Sequence, residues 1–254
     1  MTRRLTEKHD QCVAVAGAIE GMLSSFSIAN IDTLLSFQSA KGIVGHLVEM
    51  GVYRGKSAAV LAVYQGTDER LILIDITDNL DRTHLFEATS RAEFYLGDTR
   101  NTPTLVDDHD GLLGKCRCIH IDASHQFDST MQELAIADAL LGPDGFIMCD
   151  DFAHLDYAQN AAAIYKYLYT SGTNLTPFII TAEKAYLCRR DAFKLYGEMV
   201  LYGMTDQLSL RGVDAAIART DRCDDFAAFH LRHRQVGEGA KANYEMYHGY
   251  FAEA

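Results

Sequence analysis

From residue 42 to about 190 the chain alternates short, unbroken apolar runs with longer stretches whose apolar positions recur at helical spacing. The runs at 43–50, 71–76, 92–96, 118–122 and 146–149 are each bounded by Gly, Asp or Pro and read as strands. The stretches 56–64, 127–141 and 154–169 between them read as helices. Strand and helix in alternation imply right-handed crossovers and a parallel sheet covered on both faces. The next two runs, 177–181 and 185–188, are separated only by Ala182, Glu183 and Lys184. That gap is too short for a parallel crossover, so it predicts an antiparallel hairpin.

The pattern changes outside this region. Residues 10–40 carry Val13, Ala16, Ile19, Leu23 and Phe26 at helical spacing, then Ile31, Leu34, Leu35 and Phe37 behind an expected cap at Asn30 or Asp32. Beyond Asp191 the aromatic residues Phe226, Phe229, Tyr244, Tyr247, Tyr250 and Phe251 need a surface to cover, which a lid or a dimer contact would provide equally well. Three parts follow: a helical lid or dimer segment over 1–41, a core over 42–190, and a helical, aromatic-rich extension over 191–254. The expected fold is α/β, doubly wound, with a mostly parallel seven-stranded sheet and an antiparallel last strand.

Composition narrows the partners. The chain has 254 residues, 48% hydrophobic, enough for one α/β domain with terminal additions. Its formal charge of −12, with no basic run, repels phosphate backbones and argues against nucleic acid. No stretch approaches a membrane span, and the N-terminus lacks the apolar run of a secretory signal. The six cysteines, at 12, 116, 118, 149, 188 and 223, have neither zinc-site spacing nor disulfide density, so they read as reduced thiols in a cytoplasmic protein.

Candidate chemistry gathers at the strand ends, where α/β sheets hold ligands. Gly51 and Gly55 let the turn after the first strand come close to a ligand, but their spacing departs from the dinucleotide fingerprint. Asp75 ends the second strand and could accept from ribose hydroxyls or, equally, cap the next segment. Asp98 follows the third strand. Asp122, His125, Asp150 and Asp151 are the most specific group: carboxylates suit Mg²⁺, which could hold a substrate hydroxyl, and a neutral His could take its proton. Capping and packing roles stand beside that reading. Tyr165, Tyr167 and Tyr169 read as helix packing.

Together, residues 45–57 (Gly45-His46-Leu47-Val48-Glu49-Met50-Gly51-Val52-Tyr53-Arg54-Gly55-Lys56-Ser57) and 121–125 (Ile121-Asp122-Ala123-Ser124-His125) resemble the class I S-adenosylmethionine-dependent methyltransferases. Within that superfamily, the stretch 140–152 with its Pro143-Asp144-Gly145 turn and paired Asp150-Asp151 is similar to the macrocin O-methyltransferase-like branch, which modifies hydroxyls of sugars and other natural products. The resemblance covers about 42–190 and implies a Rossmann-like core. It implies that Glu49, Gly51, Tyr53, Gly55 and Ser57 line the methionine and ribose side of S-adenosylmethionine, that Asp75 holds the ribose, and that Asp98 and Thr99 approach the adenine. It further implies that Asp122, also set beside the cofactor, binds Mg²⁺ with Asp150 and Asp151, and that His125 or Asp122 assists proton removal. The expectation is a Mg²⁺-dependent O-methyltransferase of a small-molecule acceptor, working as a homodimer or higher homo-oligomer. An N-methyltransferase, another S-adenosylmethionine-using enzyme, or a non-catalytic cofactor-binding or assembly protein is the alternative.

Overall fold

The computed structural model describes residues 2–89, 91–219 and 228–235. Five strands, β1 (His46–Met50), β2 (Leu71–Asp75), β3 (Ala92–Leu96), β4 (Cys116–Ile121) and β5 (Leu141–Cys149), pair in parallel. The predicted hairpin is present as β6 (Leu175–Ile180) and β7 (Ala185–Arg189). Its reversed strand β7 is inserted between β5 and β6, antiparallel to both, rather than placed at the rim.

Among the described residues the sheet has nine strands, not seven. β8 (Ala215–Arg219) and β9 (Phe229–His233) come from the segment expected to be helical, and they continue the sheet in the order β3-β2-β1-β4-β5-β7-β6-β9-β8. Their short runs carry little strand signal. What recruits them is the open edge of β6, whose backbone groups β9 pairs while Ile217, Phe229 and Leu231 enter the core. Of the aromatic residues expected to cover a surface, Phe229 is buried in β9; Phe226, Tyr244, Tyr247, Tyr250 and Phe251 lie outside the described residues.

Strand residues alternate between two apolar layers, as the period of two requires. Leu47, Leu71, Leu73, Cys118, Phe146, Met148 and Tyr186 point to one face, against α1 (Thr2–Ala18), α2 (Ser25–Lys41) and α3 (Lys56–Tyr64). Val48, Met50, Ile72, Ile74, Ile119, Ile121 and Ile147 point to the other. There, after α4 (Arg82–Ala88) and the short α5 (Thr102–Leu105), α6 (Phe127–Leu140) and α7 (Ala158–Thr170) cover the sheet with Leu134, Ala137, Ile164 and Leu168. Tyr196, on α8 (Phe193–Met199), stacks on Phe178 at 4.7 Å and closes the first layer below α9 (Thr205–Ser209).

The cap of α2 is Ser24, whose hydroxyl accepts from Ser27 N at 3.0 Å, and not Asn30 or Asp32. Those two residues lie buried inside the helix. Asp32 is a counter-ion: the Arg211 guanidinium and the Tyr64 hydroxyl both donate to it, tying α2 to α3 and to the end of α9. A polar residue that resembles a cap in the sequence is here explained by a partner 179 positions away.

Candidate functional site

Parallel ladders that run one residue past their strands bring the acidic strand ends to a common rim. Gly51 N donates to Ile74 O at 2.8 Å, Gly97 N to Asp75 O at 2.8 Å, Asp122 N to Met50 O at 2.7 Å and Asp150 N to Ile121 O at 2.9 Å. Above them opens a cleft of about 650 Å³, within the range of small-molecule sites. Tyr53, His125 and Asp151 line it with φ of 50°, 53° and 50°, a left-handed backbone that side chains adopt at a cost and that clusters at functional sites.

On the β1–β3 side, each expected residue has a definite place. Gly51 takes φ +86°, and a Cβ there would lie 2.1 Å from the carbonyl oxygen of Asp122, so only glycine lets the two loops approach. Asp75 lines the cleft, and its carboxylate is tied down: one oxygen accepts from Val52 N and Tyr53 N at 2.7 Å each, the other from Thr77 N at 2.9 Å and Thr77 Oγ1 at 3.1 Å. Asp98 is held by Arg100, whose hydrogen bond lowers its pKa. Thr99 donates to Glu133 Oε1 at 2.5 Å. Glu49, Gly55 and Ser57 stand behind the loop and outside the cleft wall; Ser57 donates to Glu49 at the foot of α3.

On the β4–β5 side the carboxylates face one another. Asp122 Oδ1 and Asp151 Oδ2 lie 3.5 Å and 3.3 Å from His125 Nε2, and the imidazole packs tilted against Tyr157, with ring centroids 4.8 Å apart. Burial lowers the pKa of His125 despite the neighbouring Asp151 and Asp150, so the ring is neutral at pH 7. Its Nε2 edge faces the two carboxylates, which assigns the proton to that nitrogen and leaves Nδ1 basic. Burial and the Asp150 charge push Asp122 well above the usual carboxylate range. Burial acts the same way on Asp150, but the Lys184 ammonium leads the contacts that outweigh it and hold its pKa at about 2.

Three residues went unassigned from the sequence. His120 and Glu49 are directly paired across β4 and β1, and His120 Nδ1 lies 2.7 Å from Glu49 Oε1 in a fully buried contact. Lys184, just before β7, puts Nζ 2.5 Å from Asp150 Oδ1 and 3.2 Å from His120 Nε2. The third is Glu133 on α6, 1% exposed at the cleft wall, with Oε2 unpartnered. Buried polar residues inside apolar runs were the available signal for His120 and Glu133; a lysine in a turn offers none.

The donor set fits S-adenosylmethionine. The cleft is lined by Asp75, Asp98, Asp122 and Glu133 against few cations, which suits a sulfonium with amine and hydroxyl donors, and Glu133 on its wall keeps one buried oxygen unpartnered. The donor set does not fit a resident Mg²⁺. His120, Asp122 and Asp150 could offer ligand atoms within 4.8 Å of one another, but Lys184 already holds two of the three. Asp151, expected as a ligand, turns instead to His125.

Residues 48–152, from β1 to just past β5, match the family model described as a methyltransferase domain. These residues form a methyltransferase domain. No curated protein matches it. Solved structures share the fold. The cofactor-bound protein Rv0187 from MTB is 18% identical, with 72% of this chain and 90% of that one covered and a TM-score of 0.52. The O-methyltransferase NovP is 13% identical over 64% and 78%, at 0.52. The O-methyltransferase from Bacillus cereus, in complex with SAH, is 14% identical over 71% and 89%, at 0.50. Among the described residues, no helix is long and apolar enough to cross a membrane.

Proposed function

We propose that the chain methylates a hydroxyl of a small molecule, in the manner of the macrocin O-methyltransferase-like branch, with sugars and other natural products as the acceptor class. The observation that carries this reading is the His125 ring, neutral and clamped between Asp122, Asp151 and Tyr157 at the mouth of the cleft. Bound S-adenosylmethionine supplies an electrophilic methyl on a sulfonium. Asp75 fixes the Gly51–Tyr53 turn that shapes its seat, and Thr99 with Glu133 forms the far wall. His125 Nδ1 takes the hydroxyl proton as the oxygen bonds to carbon and the carbon–sulfur bond breaks. Asp151 steadies the imidazolium that results. Holding oxygen and methyl in line in one cleft supplies much of the rate.

The acidic surface supports a small, uncharged or cationic acceptor over nucleic acid. The cytoplasm and a homodimer or higher homo-oligomer are part of the same proposal. The Mg²⁺ expectation is not carried into it, because Lys184 stands in the seat.

The test is a thermal shift with S-adenosylmethionine and S-adenosylhomocysteine, followed by product mass across an acceptor panel. Ligands that bind the native state raise the melting temperature, and a methyl gained on oxygen is the expected product. No shift with either nucleoside would sink the proposal, and methyl gained on nitrogen would move it to the alternative acceptor.

A further inference from the structure

Asp122, Asp150 and His120 form a pocket of ligand-type atoms at the ends of β4 and β5, and a cation is already present. Lys184 is 1% exposed; its ammonium donates to Asp150 Oδ1 at 2.5 Å and to His120 Nε2 at 3.2 Å. His120 passes the polarity on through Nδ1 to Glu49 Oε1 at 2.7 Å. The tautomer is thereby set: Nδ1 donates and Nε2 accepts, so the lone pair a metal would need is engaged.

The lysine is not there by looseness of a long side chain. The turn that carries it is closed by Thr181 N to Lys184 O at 2.8 Å and by Lys184 N to Thr181 Oγ1 at 2.8 Å. Phe152 N donates to Glu183 O at 3.0 Å, which fastens the turn to the Asp150-Asp151 loop. Glu183 in turn accepts from Ser24 and Ser27 at 2.7 Å and 2.5 Å, at the start of α2. Backbone bonds on both sides therefore aim the ammonium at Asp150. A divalent ion at this point would meet a like charge in a desolvated setting, where such repulsion is strong.

We propose that Lys184 is a built-in counter-cation that takes the place of a divalent metal, so that this chain holds its acceptor-side carboxylates in position without binding one. The proposal rests on the methyl-transfer reading only for its consequence, insensitivity of turnover to chelators. Lys184 is a positioning residue: it is buried behind Asp150 and acts through Asp150 and His120.

The test is Mn²⁺ binding to the full chain, followed by the electron paramagnetic resonance of free Mn²⁺ with Mg²⁺ as competitor. Wild type is expected to bind no Mn²⁺ more tightly than about 1 mM, the affinity of weak exposed carboxylate sites. Lys184→Met leaves the carboxylates without a counter-charge and is expected to bind one Mn²⁺ at least about tenfold more tightly than wild type. A merely structural lysine would leave Mn²⁺ affinity unmoved. One tight, Mg²⁺-competed Mn²⁺ per wild-type chain would overturn the proposal, as would a folded Lys184→Met with no gain in affinity. Should Lys184→Met fail to fold, the wild-type titration alone decides. None of these readouts uses S-adenosylmethionine, so failure here is distinguishable from failure of the nucleoside thermal shift.

Discussion

The two halves of the cleft balance their negative charge in different ways. At the ends of β2 and β3 the carboxylates are held locally: Asp75 by amides of its own loop and of the neighbouring glycine turn, Asp98 by Arg100 two residues on. At the ends of β4 and β5 the carboxylates face one another around the neutral His125 ring, and their counter-charge comes from farther away in the chain, from Lys184 on a hairpin. The first half is built as a rigid shelf, since amide donors neither titrate nor leave. The second is built for proton traffic, because every group there is ionisable and in contact with another.

If that division is right, damage to the β4–β5 half should cost turnover while binding survives. The largest effect is expected from His125→Ala: a fall in kcat of about 10²–10⁴, the usual contribution of a general base, with S-adenosylmethionine affinity unchanged by calorimetry. Loss of affinity in step with turnover would place His125 in the shelf instead.

Lys184→Met should lower stability by about 3–5 kcal/mol, because it strands the buried Asp150 charge. The double variant with Asp150→Asn should recover part of that loss. Urea melts of the single and double variants check both, and equal losses would deny the coupling.

On the shelf the expected losses are of binding. Gly51→Ala forces a Cβ against the Asp122 carbonyl and a side chain into φ +86°, so the cofactor affinity should drop at least tenfold and stability by about 2 kcal/mol. Asp75→Asn turns an amide toward backbone donors and should cost about 1–3 kcal/mol in melting experiments. Its kcat at saturating cofactor should be near wild type.

The smallest effect is in pH. Burial lowers the pKa of His125 below its ordinary 6.5, so the basic form persists as the solution becomes acidic. The ascending limb of kcat/KM should therefore fall below pH 6.5 and vanish in His125→Ala. The same shift makes protonation unfavourable in the folded state, so stability should decline as pH falls through that window. A limb above 6.5 would assign the base to another group.

Much of this arrangement was legible before the fold. The runs 71–76 and 146–149 lie on β2 and β5 because a strand buried on both faces must be a short apolar run, and 92–96 lies on the part-buried edge strand β3. Strand ends in a parallel sheet must then share one rim, which brought Asp75, Asp98, Asp122 and Asp150 together on paper. The Ala182-Glu183-Lys184 gap announced the β6–β7 hairpin for the same geometric reason. By contrast, β8 and β9 were missed, since pairing to an open edge recruits segments with weak intrinsic preference.

What the sequence determined by itself was thus periodic and local: which segments are strands, which residues stand at their ends, and that the connections are crossovers or a tight turn. Only the tertiary structure decided which charge meets which. Asp32 reads as a cap and is the partner of Arg211; Lys184 reads only as part of the gap between two strands and is a buried cation. The physical reason is that burial and Coulomb attraction depend on distances between elements, and those are set by sheet order. Inserting β7 beside β5 placed an ammonium against the Asp150 carboxylate and the His120 ring, and nothing in the spacing of residues 150 and 184 along the chain encodes that meeting.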